Sequence, residues 1–226
     1  MQSPLQIREF HYADVSALTK IVGQLWQFDQ ANRGLNEVAA RVYLRTCLTQ
    51  QNYVRVAVWQ NQVVGAILAD TKYRKKERSY DLWQLTVAKA ALAVRPGGCQ
   101  LLRQLRERGT IDEHLLASLQ RREFLGEIVL LMVDPEYQNL GIGHRLVQTV
   151  AEYWDAAPVD KVYLFTAAER LGRFYRQQGF QESQREQVDW PAADQPRQLA
   201  GYLYTGHVSD LATAPKHRLC KESGQA

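Results

Sequence analysis

Residues 133–146 read VDPEYQNLGIGHRL, an apolar strand end followed by a turn with two glycines and the start of a helix. The first amide groups of a helix have no partner within it, and the helix dipole adds partial positive charge at the same place. Glycines in such a turn let phosphate oxygens approach the backbone closely. The stretch therefore indicates a phosphate site, although taken alone it is equally typical of a purely structural turn.

Two common phosphate motifs are excluded by the residues around these glycines. A P-loop requires Lys followed by Ser or Thr after its last glycine, and this chain has neither there. The dinucleotide fingerprint begins with two glycines placed like Gly141 and Gly143, but it needs Gly or Ala at position 146, which is Leu146.

Outward from this stretch, hydrophobic periodicity predicts one α/β domain with a mixed sheet. In the run from Glu127 to Val133, a single acid is followed by apolar residues only, which is typical of a central strand covered on both faces. The other predicted strands are 5–10, 53–59, 63–69, 161–165, 181–190 and 198–208. With the helices between them, the order is β-α-α-β-β, a helical insertion, then β-α-β-α-β-β.

The predicted helices rest on capping and breaking residues. Asp14 is expected to cap the first helix, and Asn36 to open the second over 37–50. Within a helical insertion at 73–122, residues 96–98 (Pro-Gly-Gly) break one helix, Gly109 ends the next, and Thr110 caps a third. We thus expect one domain over 1–208 and a polar tail over 209–226.

The pattern Gln138-x-x-Gly141-x-Gly143 resembles the pyrophosphate-binding motif Q/R-x-x-G-x-G/A of the GNAT acetyltransferases. A second segment, FYRQQGF over 174–180, resembles the FYxxxGF segment of that family. Together with the element order, the resemblance spans about residues 5–208 and is weakest across the insertion. It implies a GNAT-like fold and acetyl-CoA as cosubstrate, with no metal.

The resemblance also implies which residues serve acetyl transfer. Tyr175 takes the position of the general acid that protonates the coenzyme A sulfur, a role that suits a phenol protonated at neutral pH; its alternative is a core aromatic. A backbone amide at the end of the central strand is expected to bind the oxyanion. The expected cofactor contacts come from Leu131, Met132, Val133, Gln138, Asn139, Leu140, Gly141, Ile142, Gly143, His144 and Arg145.

Glu127 is the candidate general base, acting directly or through water. It is the single acid in its strand, and four residues separate it from Leu131, so alternation predicts that both point to the same face of the sheet. Some GNAT members place a catalytic glutamate at this strand position. An exposed strand entrance with no catalytic role is an equal alternative, although the next strand, 161–165, offers no carboxylate.

Composition adds expectations about partners and compartment. The run 72–78 carries a formal charge of +4, equal to that of the whole chain, so no basic stripe indicates nucleic acid. The polar N-terminus and the absence of a long apolar run favour a cytoplasmic protein without membrane contact. The three cysteines, Cys47, Cys99 and Cys220, lack metal or redox spacing and are expected as separate thiols.

A small-molecule primary amine is the expected acceptor, because a long insertion beside the predicted base strand would narrow the site. Acetylation of a protein amine and a non-catalytic acyl-CoA-binding or regulatory module on the same fold remain alternatives. A partner surface around Trp83 is a further option, against ordinary packing of that face on the sheet. Homodimerisation is left open.

Overall fold

The computed structural model describes residues 5–71, 79–117, 123–167, 169–190 and 197–213. The strands are β1 (Leu5–Glu9), β2 (Tyr53–Trp59), β3 (Gln62–Thr71), β4 (Phe124–Val133), β5 (Lys161–Thr166), β6 (Gln181–Trp190) and β7 (Arg197–His207). They form one sheet in the order β1-β2-β3-β4-β5-β7-β6. The β4–β5 pair is parallel, and the other neighbours are antiparallel.

Helices cover both faces of this sheet. They are α1 (Val15–Trp26), α2 (Arg33–Thr49), α3 (Ser79–Ala93), α4 (Gly98–Ala117), α5 (Ile142–Asp155), α6 (Gly172–Gln177) and α7 (Val208–Thr213). The apolar stripe of α5, which includes Leu146, Val150 and Trp154, packs on one face, and α1 and α2 pack on the other. The predicted fold class, a mixed α/β sheet flanked by helices, is therefore confirmed.

Two predicted helix caps are wrong in detail. The carboxylate of Asp14 accepts hydrogen bonds from Arg8 and from the amide of His11 instead of capping α1. The cap of α2 is Asn32, whose side chain accepts from the amide of Leu35 at 3.0 Å. Asn36 lies one turn inside α2 and donates to the carbonyl of Gly23, so its polar side chain ties α2 to α1.

The described residues between β3 and β4 form two helices, where the sequence predicted three. The break at residues 96–98 is present, but α4 continues through Gly109 and Thr110 to Ala117. A glycine inside a helix costs only about 1 kcal/mol, and burial of Leu115 against the sheet favours continuing the helix. The basic run 72–78 and residues 118–122 of the predicted insertion lie outside the described residues.

The end of the chain differs from its expected polar tail. Residues 208–213 form α7, and Leu211 lies in the core beside α5. Its burial explains why the helix forms although its neighbours are polar. Residues 214–226 lie outside the described part.

A β-bulge in β4 changes the direction of its side chains. Leu68 pairs with Leu130, but the next β3 residue, Ala69, pairs with Ile128, so Val129 is an extra residue. Ile128 and Leu131 both pack toward α5. Glu127, next to Ile128, therefore points to the opposite face, and the prediction that it shares a face with Leu131 is wrong because the extra residue breaks the alternation.

Candidate active site

Strands β4 and β5 separate at the centre of the sheet. Their parallel ladder ends at the Ile128–Leu164 pair, although β4 continues to Val133 and β5 to Thr166. On its other edge, β4 stays paired with β3 up to Val133. The edge of β4 after Ile128 is thus free of β5, which leaves backbone groups available to an extended ligand between the strands.

The turn after β4 leads into α5 without a side-chain cap. Asn139 and Gly141 both adopt left-handed backbone conformations, with φ of 63° and 80°. Gly141 is the N-cap residue, and a glycine has no side chain that could cap the first turn of α5. The first amides of a helix have no partner within it, so the phosphate site predicted from the sequence stays a prediction at this helix start.

Gly143 joins the two sequence motifs in space. A Cβ atom at this position would lie 3.3 Å from Cζ of Phe174, the first residue of the FYRQQGF segment. A side chain here would require Phe174 to move by a few tenths of an ångström. The glycine turn and the segment after β5 thus form one continuous structure.

Polar side chains in the turn brace the backbone. Gln138 donates from Nε2 to the carbonyl of Val133 at 3.1 Å, and Asp134 accepts from the amide of Glu136 at 3.0 Å. His144 is buried, with Nδ1 only 2.6 Å from Oε1 of Gln178. The side chain of His144 therefore faces the protein interior, and its contribution to cofactor binding through the backbone stays a prediction.

Other residues that were predicted to contact the cofactor have side chains that pack into the core. Leu131 and Val133 pack toward α5, while Met132 is buried on the face covered by α1 and α2. Leu140 is half-buried and Ile142 is buried beneath the turn. Their side chains therefore anchor the segment to the core, and their contacts with a cofactor stay a prediction.

Tyr175 lies in the core on the α5 face. Its ring centroid is 5.6 Å from that of Tyr204 and 6.1 Å from that of Phe180. Burial, with a smaller contribution from Tyr204, raises the pKa of Tyr175 well above the usual value of a phenol. The hydroxyl therefore stays protonated throughout the physiological range, as a general acid requires.

Glu127 lies on the opposite face, one residue before the strands separate. The hydroxyl of Tyr163 donates to Oε2 of Glu127 at 2.8 Å, and the two residues are register partners on β4 and β5. Asp70 is the register partner of Glu127 on β3. The sequence predictions missed both neighbours, because only the strand register places them beside Glu127.

The end of α4 covers this face. Leu115 packs with Tyr163 and Leu203 in a small cluster that also contacts Phe124 and Phe165. The helix thus runs from the α2–α3 layer, where Leu101 is buried, to the residue that contacts Glu127.

Within the described ranges, no group of three or more His, Cys, Asp or Glu residues could hold a metal ion. In the same ranges, none of the helices is both long and apolar enough to span a membrane. Cys47 is buried in the core and Cys99 is exposed, and neither forms a disulfide. Cys220 lies outside the described part of the chain.

Comparison with known proteins finds a family model that matches part of the chain. The model of the acetyltransferase (GNAT) domain matches residues 107–182, which contain both sequence motifs, β4, α5 and β5. The resemblance to the GNAT superfamily is confirmed. No curated protein gives a significant match to the chain.

Solved GNAT structures share the fold at low sequence identity. An agmatine N-acetyltransferase mutant superposes with a TM-score of 0.56 at 13% identity, covering 91% of this chain and 100% of that one. The polyamine N-acetyltransferase of Drosophila melanogaster has a TM-score of 0.52 at 14% identity, covering 90% and 99%. The ribosomal-protein-S18-alanine N-acetyltransferase of Escherichia coli has a TM-score of 0.51 at 11% identity, covering 90% and 94%.

Proposed function

We propose that this GNAT chain transfers the acetyl group of acetyl-CoA to a primary amine by direct attack. The observation that carries the proposal is the separation of β4 from β5 directly beside the uncapped start of α5. A pyrophosphate at that helix start would leave the rest of the cofactor extending into the gap. There the pantetheine arm can pair with the edge of β4 that β5 leaves free, and an amide among residues 131–133 can donate to the carbonyl oxygen of the thioester.

The proposed acid and base approach this gap from opposite faces. Glu127, alone or through a water, takes a proton from the acceptor ammonium, and the free amine attacks the thioester carbonyl carbon. The carbon–sulfur bond then breaks as Tyr175 donates its proton to the leaving thiolate, and the nitrogen gives up its second proton to water. Glu127 releases its proton to solvent and Tyr175 is reprotonated, so the cycle releases one proton in net. Because the Tyr175 hydroxyl is buried on the α5 side, the amine and the leaving sulfur are kept on separate sides of the reacting carbon.

A small cationic amine is the proposed acceptor. Glu127 and Asp70 are directly paired on neighbouring strands, and carboxylates on one face favour a positively charged ligand. The end of α4 covers the same face through Leu115, which leaves less room for a folded protein substrate. Two structural neighbours are named for agmatine and polyamine acetylation, in agreement with this class, whereas a third is named for a ribosomal protein.

A screen of acetyl-CoA consumption tests the proposed activity. We expect turnover with at least one member of a panel of polyamines, agmatine, amino acids, aminoglycosides and peptides. Preference for a peptide would replace the small-molecule acceptor with a protein amine. Binding of acetyl-CoA without turnover on any amine would favour the alternative of a non-catalytic acyl-CoA-binding module.

We also propose that a second copy of the chain covers the outer face of α3. Tyr80, Trp83, Val87 and Val94 form a stripe at helical spacing on this face and are 49%, 59%, 48% and 84% exposed. The alternative that Trp83 packs on the sheet is therefore wrong.

Charge favours a second copy as the occupant. With Leu82 and Tyr12, the stripe presents six exposed large hydrophobic side chains. Among the exposed α3 residues, Lys89 is the single charged one, so little repulsion opposes pairing of the stripe with itself.

A further inference from the structure

The hydrogen bond from Tyr163 to Glu127 has a direct chemical consequence. A phenol can donate to a carboxylate, and donation to the ionised form stabilises that form over the protonated one. The bond is 2.8 Å long, and Tyr163 is only 6% exposed, so water competes weakly for its hydroxyl. The hydroxyl also holds Oε2 of Glu127 in place.

The ring of Tyr163 is held by its surroundings. It makes edge-to-face contacts with Phe165 at 5.7 Å and with Phe124 at 6.3 Å between centroids. Leu115 of α4 packs in the same cluster. The position of the hydroxyl therefore depends on where the last turns of α4 lie.

Asp70 opposes the effect of Tyr163. Among the described residues, Asp70 on β3 and Tyr163 on β5 are the titratable register partners of Glu127. A second carboxylate on the same face disfavours ionisation of Glu127, whereas the phenol favours it. The two neighbours thus act in opposite directions on the protonation of one group.

We propose that Tyr163 is a positioning residue that keeps Glu127 ionised and oriented, and that Leu115 makes α4 part of this support. The proposal rests on the proposed function, in which Glu127 is the base. Through Leu115, α4 would then support the general base in addition to covering the face of the sheet on which Glu127 lies.

Tyr163→Phe removes the hydroxyl and keeps the ring. We expect the acidic limb of the kcat/KM profile to move up by about one pH unit, with an unchanged KM for acetyl-CoA, because the carboxylate loses a charge-assisted hydrogen bond that water only partly replaces. Tyr202→Phe is the control, because Tyr202 is also buried and its hydroxyl has no hydrogen-bond partner in the described structure. An unmoved limb in folded Tyr163→Phe would overturn the proposal.

A titration without turnover separates this proposal from the proposed function. Carbon-13 NMR of glutamate carboxyls, with Glu127 assigned through Glu127→Gln, should show Glu127 protonating about one pH unit higher in Tyr163→Phe. That shift would support the role of Tyr163 even if no amine were acetylated. An identical titration curve in both proteins would overturn it even if the enzyme were active.

Substitution within α4 tests the part played by Leu115. Leu115→Val should move the acidic limb of the kcat/KM profile in the same direction as Tyr163→Phe but by less. Leu101→Val removes the same volume from a buried position at the other end of α4 and should leave the limb in place. Equal behaviour of the two variants would remove α4 from the proposal.

Discussion

The two faces of β4 build their parts of the site in different ways. On the α5 side, the turn, the helix start and the residues beneath them come from one stretch, 133–146, with Phe174 and Tyr175 added. On the opposite side, Glu127, Tyr163, Asp70 and Leu115 come from three strands and a helix that are distant in sequence. A site for phosphate can be a local property of the backbone, whereas a site for an acceptor requires the assembled sheet.

The largest expected effects distinguish the chemical roles of the two faces. Glu127→Gln and Tyr175→Phe should each lower kcat by about 10²–10⁴-fold, the usual contribution of a general base or acid. Glu127→Gln should remove the acidic limb of the pH profile of kcat/KM.

Because burial raises the pKa of Tyr175, the alkaline limb of the same profile in the wild type should lie above the ordinary phenol value of about 10. Full activity of Tyr175→Phe would show that Tyr175 contributes to packing only and is not the general acid.

An intermediate effect is expected on the outer face of α3. Trp83→Glu places a charge in the centre of the apolar stripe, so the dimer dissociation constant in sedimentation equilibrium should rise at least about tenfold. Gln24→Glu adds the same charge at an exposed position on α1 and should change nothing. A wild-type protein that is monomeric at high concentration would contradict the proposed self-association.

The smallest effect concerns the ion pair that anchors the start of α1. Burial alone would raise the pKa of Asp14, but hydrogen bonds from Arg8 and His11 outweigh it and hold this pKa below its usual value. The contribution of ionised Asp14 to the free energy of unfolding is therefore complete above the unfolded-state pKa of about 3.9. It is lost as the pH falls through the lower pKa of Asp14 in the folded state. Asp14→Asn should cost about 1 kcal/mol or less near neutral pH, after allowance for solvent screening. Urea unfolding near pH 7 and pH 2 checks whether the difference disappears in acid.

Local patterns predicted the elements of the sheet well. Residues 53–59 alternate and form β2 with the predicted bounds, and the break at residues 96–98 separates α3 from α4. The glycine turn was found because its chemistry depends on backbone groups whose order is fixed along the chain. Those features need no knowledge of distant contacts.

The features that the sequence did not predict depend on tertiary contacts. The bulge at Val129 reverses the face of Glu127, and no residue type near it signals an extra residue. Gly109 was expected to end a helix, yet α4 continues to bring Leu115 onto the sheet. Tyr163 was not predicted because its strand offers no carboxylate, although a buried phenol opposite an acid is also a signal.

Binding of acetyl-CoA, measured by titration calorimetry, tests the central claim that the start of α5 holds the pyrophosphate. Gly141→Val and Gly97→Val offer a matched pair, since both glycines have left-handed φ values, 80° and 78°, but only Gly141 lies in the turn. We predict one site per chain, affinity at least about tenfold weaker in Gly141→Val because a branched residue strains that conformation, and wild-type affinity in Gly97→Val. No binding by the wild type, or equal binding by the two variants, would contradict the account.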